Sequence, residues 1–96
     1  MKSGFVYFMS NRKDGVIYIG VTSDPAKRYY EHSHGLCEGF TRRYNCARMV
    51  YIEAHATIED AIAAEKKLKN LPRAKKIAMI HRENPEWLDL GPTLFS

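Results

Sequence analysis

Two stretches rich in β-branched and aromatic residues, GFVYFMS at 4–10 and VIYIGVT at 16–22, decide the fold by flanking the turn NRKDG at 11–15. Such residues favour strands. The Asp14-Gly15 pair within the turn is typical of a β-hairpin. The segment therefore predicts two antiparallel strands joined by a short loop.

The register of this hairpin decides which side chains share a face. With a loop of Asn11–Asp14, Ser10 pairs with Gly15, and Tyr7 then lies directly opposite Tyr18. Paired residues of antiparallel strands point to the same side of the sheet. We therefore expect the two phenol groups on one surface.

A helix is predicted next, because Asp24 suits an N-cap, Pro25 suits a first helical position and Gly35 suits the C-terminal stop. It spans about 26–33. Arg28 and His32 are four residues apart and so lie on the same helix face.

The remaining elements follow from similar patterns. We predict a loop at 35–46 with or without a short helix, a strand at 47–55, helices at 58–70 and 72–82, a turn at 84–88 and a short tail at 91–96. In the third strand, Val50 and Ile52 are expected on the face opposite Met49 and Tyr51. The order β-β-α-β-α-α predicts a small α/β (α+β) sandwich with a three-stranded, largely antiparallel sheet.

Length and composition limit the class of protein. A chain of 96 residues fits one domain, with its core at about 4–88. The 45% hydrophobic content, with 11% aromatic residues, excludes disorder as the main state. No apolar run is long enough to span a bilayer. The absence of an apolar leader and the two cysteines predict a reducing, cytoplasmic setting without a disulfide-linked partner. The oligomeric state stays open, with a monomer slightly favoured.

The charge is mildly basic, with 15 Lys and Arg against 11 Asp and Glu. The basic residues form two clusters, which could contact a nucleic-acid backbone or could simply be solvated helix faces. The candidates for nucleic-acid contact are Arg42, Arg43, Lys66, Lys69, Arg73, Lys75 and Lys76.

Glu65 is an exception within its helix. It falls on an apolar stripe with Ile58, Ala61, Ile62 and Leu68. A carboxylate in that position needs a cation, a hydrogen-bond donor or a shifted pKa. An ion pair with a neighbouring side chain and a metal site are both open.

Five of these residues, in order, carry a family resemblance. Tyr18-Ile19-Gly20 is a literal YIG, Tyr7 keeps the tyrosine of the first strand, Arg28 and His32 follow on the helix, and Glu65 comes last. The chain resembles the GIY-YIG nucleases, most of all their small stand-alone bacterial members. It departs from them in having Phe5-Val6 before Tyr7. It also has Val21 where one branch has a lysine.

The resemblance implies hydrolysis of DNA phosphodiesters with one Mg²⁺ or Mn²⁺ ion. Glu65 would hold the ion, Tyr18 would act as general base and Arg28 would stabilise the phosphate. Tyr7 would orient the water, and His32 would relay a proton or bind phosphate. Two further residues are expected to be structural near the site: Gly20, through a bulge or a close backbone approach, and Asn84, in a turn.

A protein-interaction domain that binds no nucleic acid stays open on sequence grounds, and so do two further alternatives. The first is a catalytically weak or inactive nucleic-acid-binding module on the same fold. In that case the tyrosines are ordinary sheet aromatics. The second is a zinc site, disfavoured because its candidate ligands lack the close pairing that zinc sites usually show. Those ligands are His32, His34, Cys37 and Cys46.

Overall fold

A central strand, with one antiparallel partner on each side, organises the chain. The computed structural model describes residues 2–37 and 39–95. The elements are β1 (Gly4–Ser10), β2 (Ile17–Thr22), α1 (Pro25–Ser33), α2 (Phe40–Arg43), β3 (Arg48–His55), α3 (Ile58–Lys69), α4 (Arg73–Glu83) and α5 (Gly91–Phe95). The strand order in the sheet is β2-β1-β3, which makes β2 an edge strand, and both pairings are antiparallel. The predicted fold class is confirmed.

The predicted hairpin register is wrong by two residues. Ser10 pairs with Ile17, so the loop runs from residue 11 to 16 and Tyr7 faces Gly20 rather than Tyr18. The reason is local: the side-chain Oδ1 of Asn11 accepts a hydrogen bond from Val16 N at 3.0 Å and so orders the longer loop. Because side chains alternate with a period of two, a two-residue shift leaves each tyrosine on its predicted face.

A β-bulge changes the predicted faces of β3. Phe8 pairs with Tyr51 and Met9 pairs with Met49, which leaves Val50 without an opposite residue. Val50 and Tyr51 therefore pack on one side of the sheet, and Met49 and Ile52 on the other. The alternation expected from the sequence is wrong here, because the extra residue resets it.

The sheet has two differently built faces. On the apolar face, α3 and α4 cover a cluster of Val6, Phe8, Ile19, Val50, Ala61, Ile80 and Trp87. On the tyrosine face, α1 and α5 cover a cluster of Tyr7, Met9, Cys46 and Met49, with Tyr18 packed against it. Because α1 lies on the tyrosine face, its polar side chains can meet the two tyrosines.

Helix α1 is fixed at both ends. The Asp24 side chain accepts a hydrogen bond from Lys27 N at 3.1 Å, as the predicted N-cap requires. At the other end Gly35 has φ +67°, and Leu36 N donates to Glu31 O at 2.8 Å, which makes a Schellman-type stop. The last turn of the helix, with His32 in it, is therefore held firmly on the sheet.

The C-terminal tail forms a helix that the sequence did not predict. Helix α5 packs on α1, where the rings of Tyr29 and Phe95 lie 5.7 Å apart. The segment 91–95 is too short to form a helix on its local preferences alone, so tertiary packing decides it. None of the helices in the described ranges is long and apolar enough to cross a membrane.

Candidate active site

Tyr7 is the centre of a polar cluster on the tyrosine face. Its side chain is fully buried, and its hydroxyl lies 3.1 Å from Nε2 of His32. Burial raises the pKa of Tyr7 to about 12, although the adjacent Arg28 guanidinium acts in the opposite direction. Tyr7 therefore stays protonated at neutral pH and serves as a hydrogen-bonding group rather than a base.

His32 is the buried partner that α1 brings to this hydroxyl. Burial, together with the positive charge of Arg28, lowers the pKa of His32 to about 4, so the ring is neutral at pH 7. The hydrogen bond between the Tyr7 hydroxyl and Nε2 of His32 therefore joins two uncharged groups. Nδ1 of His32 is buried, and no residue within 2–37 and 39–95 makes a hydrogen bond to it.

Tyr18 stands next to this pair and is closer to solvent. Its ring centroid lies 6.4 Å from that of Tyr7 and 5.6 Å from that of His32. The side chain is half-buried, unlike that of Tyr7. The structure therefore brings the two predicted phenols together with the predicted histidine, and Tyr18 is the phenol that a substrate can reach.

Gly20 leaves room for the ring of Tyr7. A Cβ atom built on Gly20 would lie 2.5 Å from Cζ of Tyr7. The ladder between β1 and β2 is continuous at this position, so the glycine does not mark a bulge. The close approach expected here is made by a tyrosine side chain of the same protein.

Arg28 is a cation at the rim of the cluster. Its guanidinium interacts with the Tyr7 hydroxyl, which raises the already high pKa of the arginine. It also pairs with Glu31 at 3.2 Å, and both side chains are partly exposed. Such a pair is weak, so Arg28 is available to bind a phosphate from the solvent side.

Glu65 lies on α3, the helix that covers the apolar face of the sheet. Its side chain is only 15% exposed, and its Oε2 lies 3.5 Å from Nζ of Lys69, one turn further along α3. Lys69 in turn lines a groove of about 300 Å³ along β2, together with Ile17, Tyr18, Ile19, Phe40 and Lys76. The groove connects Tyr18 with the Glu65–Lys69 pair.

A divalent ion at Glu65 would depend on a single carboxylate. Within residues 2–37 and 39–95, no three His, Cys, Asp or Glu side chains form a group that could hold a metal. The predicted zinc ligands are thus not assembled in that part of the chain. Mg²⁺ accepts one carboxylate when water and substrate phosphate supply its other oxygens. The residues present therefore fit Mg²⁺ or Mn²⁺ at Glu65.

Two exposed aromatic residues were missed by the sequence analysis: Phe40 at the start of α2 and Tyr44 directly after its end. The Phe40 ring stacks beside Tyr18 at 6.3 Å and lies 4.8 Å from the ring of Tyr44. Both are about two-fifths exposed. Their i, i+4 spacing in the stretch FTRRY is the signal that could have identified them. Exposed ring faces of this kind are surfaces on which nucleobases stack.

The predicted basic residues fall into different surroundings. Lys69 and Lys76 line the groove, and Arg42 and Arg43 are exposed on α2 beside it. Lys66 and Lys75 are exposed on α3 and α4. One candidate has a structural contact instead, since Arg73 donates to the carbonyls of Asp14 and Gly15 in the hairpin loop.

The side chain of Asn84 makes hydrogen bonds near β3, the strand at the edge of the sheet opposite β2. Its side-chain amide donates to Val50 O at 3.1 Å and to Leu88 O at 2.9 Å. These bonds attach the end of α4 to β3. Because β3 and β2 are opposite edges of the sheet, Asn84 supports the fold and does not line the groove.

Comparisons with known proteins give matches that cover most of the chain. Residues 3–78 match the GIY-YIG catalytic domain family. A UPF0213 protein of Bacillus licheniformis is 32% identical over 90 residues, which cover 94% of this chain and 92% of that protein. A UPF0213 protein of Staphylococcus saprophyticus is 30% identical over 80 residues, covering 83% and 96%. The solution NMR structure of a UPF0213 protein from Bacillus halodurans is 28% identical with a TM-score of 0.55, covering 96% of this chain and 94% of that one.

Proposed function

The chain belongs to the GIY-YIG catalytic domain family, and on that premise we propose that it is a metal-dependent endonuclease that hydrolyses phosphodiester bonds of DNA. The observation that carries the proposal is the convergence of four predicted residues. Tyr7, Tyr18 and His32 pack ring against ring, and Arg28 lies beside the Tyr7 hydroxyl. A groove leads from Tyr18 to the lysine that pairs with Glu65.

Arg28 is the proposed phosphate-binding group. Its planar guanidinium matches two non-bridging phosphate oxygens, and its charge stabilises the negative charge that gathers on them in the transition state. The partly exposed pair with Glu31 holds the side chain near the cluster before DNA binds. A phosphate then replaces the Glu31 carboxylate as its partner.

Tyr18 is the proposed general base, as the family resemblance implies, and Tyr7 is the proposed orienting group. The attacking water forms a bond to phosphorus while the bond to the leaving oxygen breaks. The water proton passes to the Tyr18 oxygen, which acts as the phenolate, and the leaving oxygen takes up a proton from solvent. Tyr7 cannot accept the water proton, because its pKa of about 12 keeps it protonated. The neutral His32 ring fixes the direction of the Tyr7 hydroxyl.

Glu65 is the proposed ligand of one Mg²⁺ or Mn²⁺ ion. When bound, such an ion polarises the phosphate and stabilises the leaving oxygen. The carboxylate is largely shielded from water, whereas its partner Lys69 is 51% exposed and so can leave. This pairing is compatible with exchange of the ammonium group for a metal ion.

The test is nicking of a supercoiled plasmid in the presence of Mg²⁺. We expect Glu65→Gln and Arg28→Ala to lower the cleavage rate by about 10²–10³-fold, as loss of a charge-stabilising group usually does. Glu59→Gln on the same helix and Arg12→Ala in the hairpin loop are exposed, charge-matched controls that should cleave like the wild type. Unchanged cleavage by a folded Glu65→Gln or Arg28→Ala protein would refute the mechanism.

A second candidate is a nucleic-acid-binding module without catalysis. It is supported by the Glu65–Lys69 ion pair, which satisfies the carboxylate without a metal, and by the aromatic and basic residues around α2. It predicts DNA binding that persists in EDTA and in Glu65→Gln, weakens steeply with salt, and comes with no cleavage under any divalent metal. Cleavage abolished by EDTA and by Glu65→Gln excludes it.

A further inference from the structure

Lys69 places a cation beside the Glu65 carboxylate. Its Nζ lies 3.5 Å from Glu65 Oε2, and the two residues are four apart on α3. Glutamate four residues before lysine is the favourable order for such a helical pair. The carboxylate is 15% exposed and the ammonium-bearing side chain 51% exposed, so the lysine approaches from the solvent side.

The same lysine also lines the groove that contains Tyr18. Lys76 lines it as well, and the Nζ of Lys76 donates to the backbone carbonyl of Lys69 at 3.1 Å. Lys76 is therefore fixed to the end of α3. The Lys69 side chain is long and half-exposed, so a rotation about its own bonds can move its charge from Glu65 into the groove.

Building on the proposed function, we infer that Lys69 is a positioning residue that exchanges partners when metal binds. Without metal, its ammonium group neutralises Glu65. With a divalent ion bound to the Glu65 carboxylate, the ammonium group of Lys69 would be displaced by charge repulsion. It would then bind a DNA phosphate in the groove beside Tyr18. Metal binding at Glu65 and phosphate binding by Lys69 are thereby coupled, and such coupling is reciprocal.

The first test measures metal affinity of the full chain without DNA. Mn²⁺ is titrated while the paramagnetic broadening of the α3 amide signals is followed by NMR. Because Lys69 competes with the ion, Lys69→Met should bind Mn²⁺ about two- to fivefold more tightly, the range expected for a partly exposed ion pair. Lys69→Arg keeps the competitor and should resemble the wild type. Lys67→Met removes an equal charge two residues from Glu65, on another side of the helix, and is the matched control.

The second test is a double-mutant cycle on DNA affinity in EDTA, with the wild type, Lys69→Met, Glu65→Gln and the double variant. In the wild type Lys69 forms an ion pair with Glu65, so Lys69→Met should change DNA affinity little. In Glu65→Gln the lysine is already free, and its removal should weaken DNA binding about two- to fivefold more than in the wild type.

Equal Mn²⁺ affinity of the wild type and Lys69→Met, or an additive cycle, would overturn the inference. Neither result bears on whether the wild type cleaves plasmid with Mg²⁺, because no cleavage is measured. Conversely, a wild type that binds Mn²⁺ and DNA with the expected coupling but never cleaves would support the exchange and count against the endonuclease proposal.

Discussion

The two faces of the sheet are equally buried at their centres but differ in chemistry. On β1, Val6 and Phe8 point to the apolar face while Tyr7 and Met9 point to the tyrosine face, and all four are fully buried. The apolar face is stabilised by contacts between hydrophobic side chains. The tyrosine face contains a buried hydroxyl, a neutral imidazole and, at its rim, a guanidinium.

This difference shows how a chain of 96 residues holds a polar site without a large core. Strand alternation gives every second residue to each face. One face can then supply the hydrophobic stabilisation while the other holds polar groups that are buried and hydrogen-bonded. Variants on the two faces should therefore differ in which property they change.

The largest expected effect is on the apolar face. Phe8→Ala removes a fully buried ring that packs 4.7 Å from the ring of Tyr51, and should lower the free energy of unfolding by about 3–5 kcal/mol. Urea denaturation followed by circular dichroism measures it. Phe8→Leu keeps most of the volume and should cost less than about 1.5 kcal/mol. Equal losses for the two variants would contradict this account of the apolar face.

The next effect is the pH dependence of stability on the tyrosine face. The pKa of His32 is about 4 in the folded protein against 6.5 when exposed, so the unfolded chain binds more protons between these values. Stability is therefore complete above pH 6.5 and falls on acidification towards pH 4, with a His32 contribution of up to about 3 kcal/mol. His32→Gln should lose this part of the pH dependence.

His34→Gln, an exposed histidine two residues further, is the control for that measurement. Carboxylates that titrate in the same pH range are common to all three proteins and cancel in the difference. Stability curves of His32→Gln and wild type that run parallel from pH 6.5 to pH 4 would show that His32 is not buried in the neutral form.

A smaller effect is expected where the two strands of the hairpin meet. In Gly20→Ala the new methyl group collides with the Tyr7 ring, which has to move. We expect a loss of about 1–3 kcal/mol in stability. The pKa of His32, measured by NMR, should also rise towards its ordinary value as the packing loosens. An unchanged His32 pKa in Gly20→Ala would show that the Tyr7 ring can shift without loosening the packing around His32.

The smallest stability effect distinguishes the two tyrosines. Tyr7→Phe removes a buried hydroxyl that contacts His32, and should cost about 1–2 kcal/mol because a buried partner is left unsatisfied. Tyr18→Phe changes a half-exposed side chain and should alter stability by less than about 0.5 kcal/mol, although cleavage should fall if Tyr18 is the base. Denaturation and plasmid nicking of both proteins provide the comparison.

Much of the fold could be predicted because its signals are local. Asp24 and Thr57 accept hydrogen bonds from Lys27 N and Asp60 N and begin their helices where the sequence predicts. The register error and the Val50 bulge could not be predicted, because they depend on how the Asn11 side chain orders the loop and on how β3 pairs with β1.

The candidate site was predictable in identity but not in arrangement. The YIG stretch, Arg28, His32 and Glu65 are visible in the sequence, and their catalytic and metal-binding roles stay predictions. The i, i+4 spacing of Glu65 and Lys69 favours their ion pair, but nothing in the sequence indicates that Lys69 also lines the groove of Tyr18. The role of Phe40 as a wall of that groove was equally hidden, because its position depends on where α2 packs.

The sequence by itself determined which residues alternate along the two hairpin strands, where the first and third helices begin, and that two phenols lie on one side of the sheet. These follow from local preferences and from the period of two. Only the tertiary structure decided that the Tyr7 ring is buried against Gly20 while Tyr18 is partly exposed to solvent. It also decided that Lys69, the helical partner of Glu65, lines the groove beside Tyr18. Burial and distance depend on elements far apart in the chain, and no local pattern fixes them.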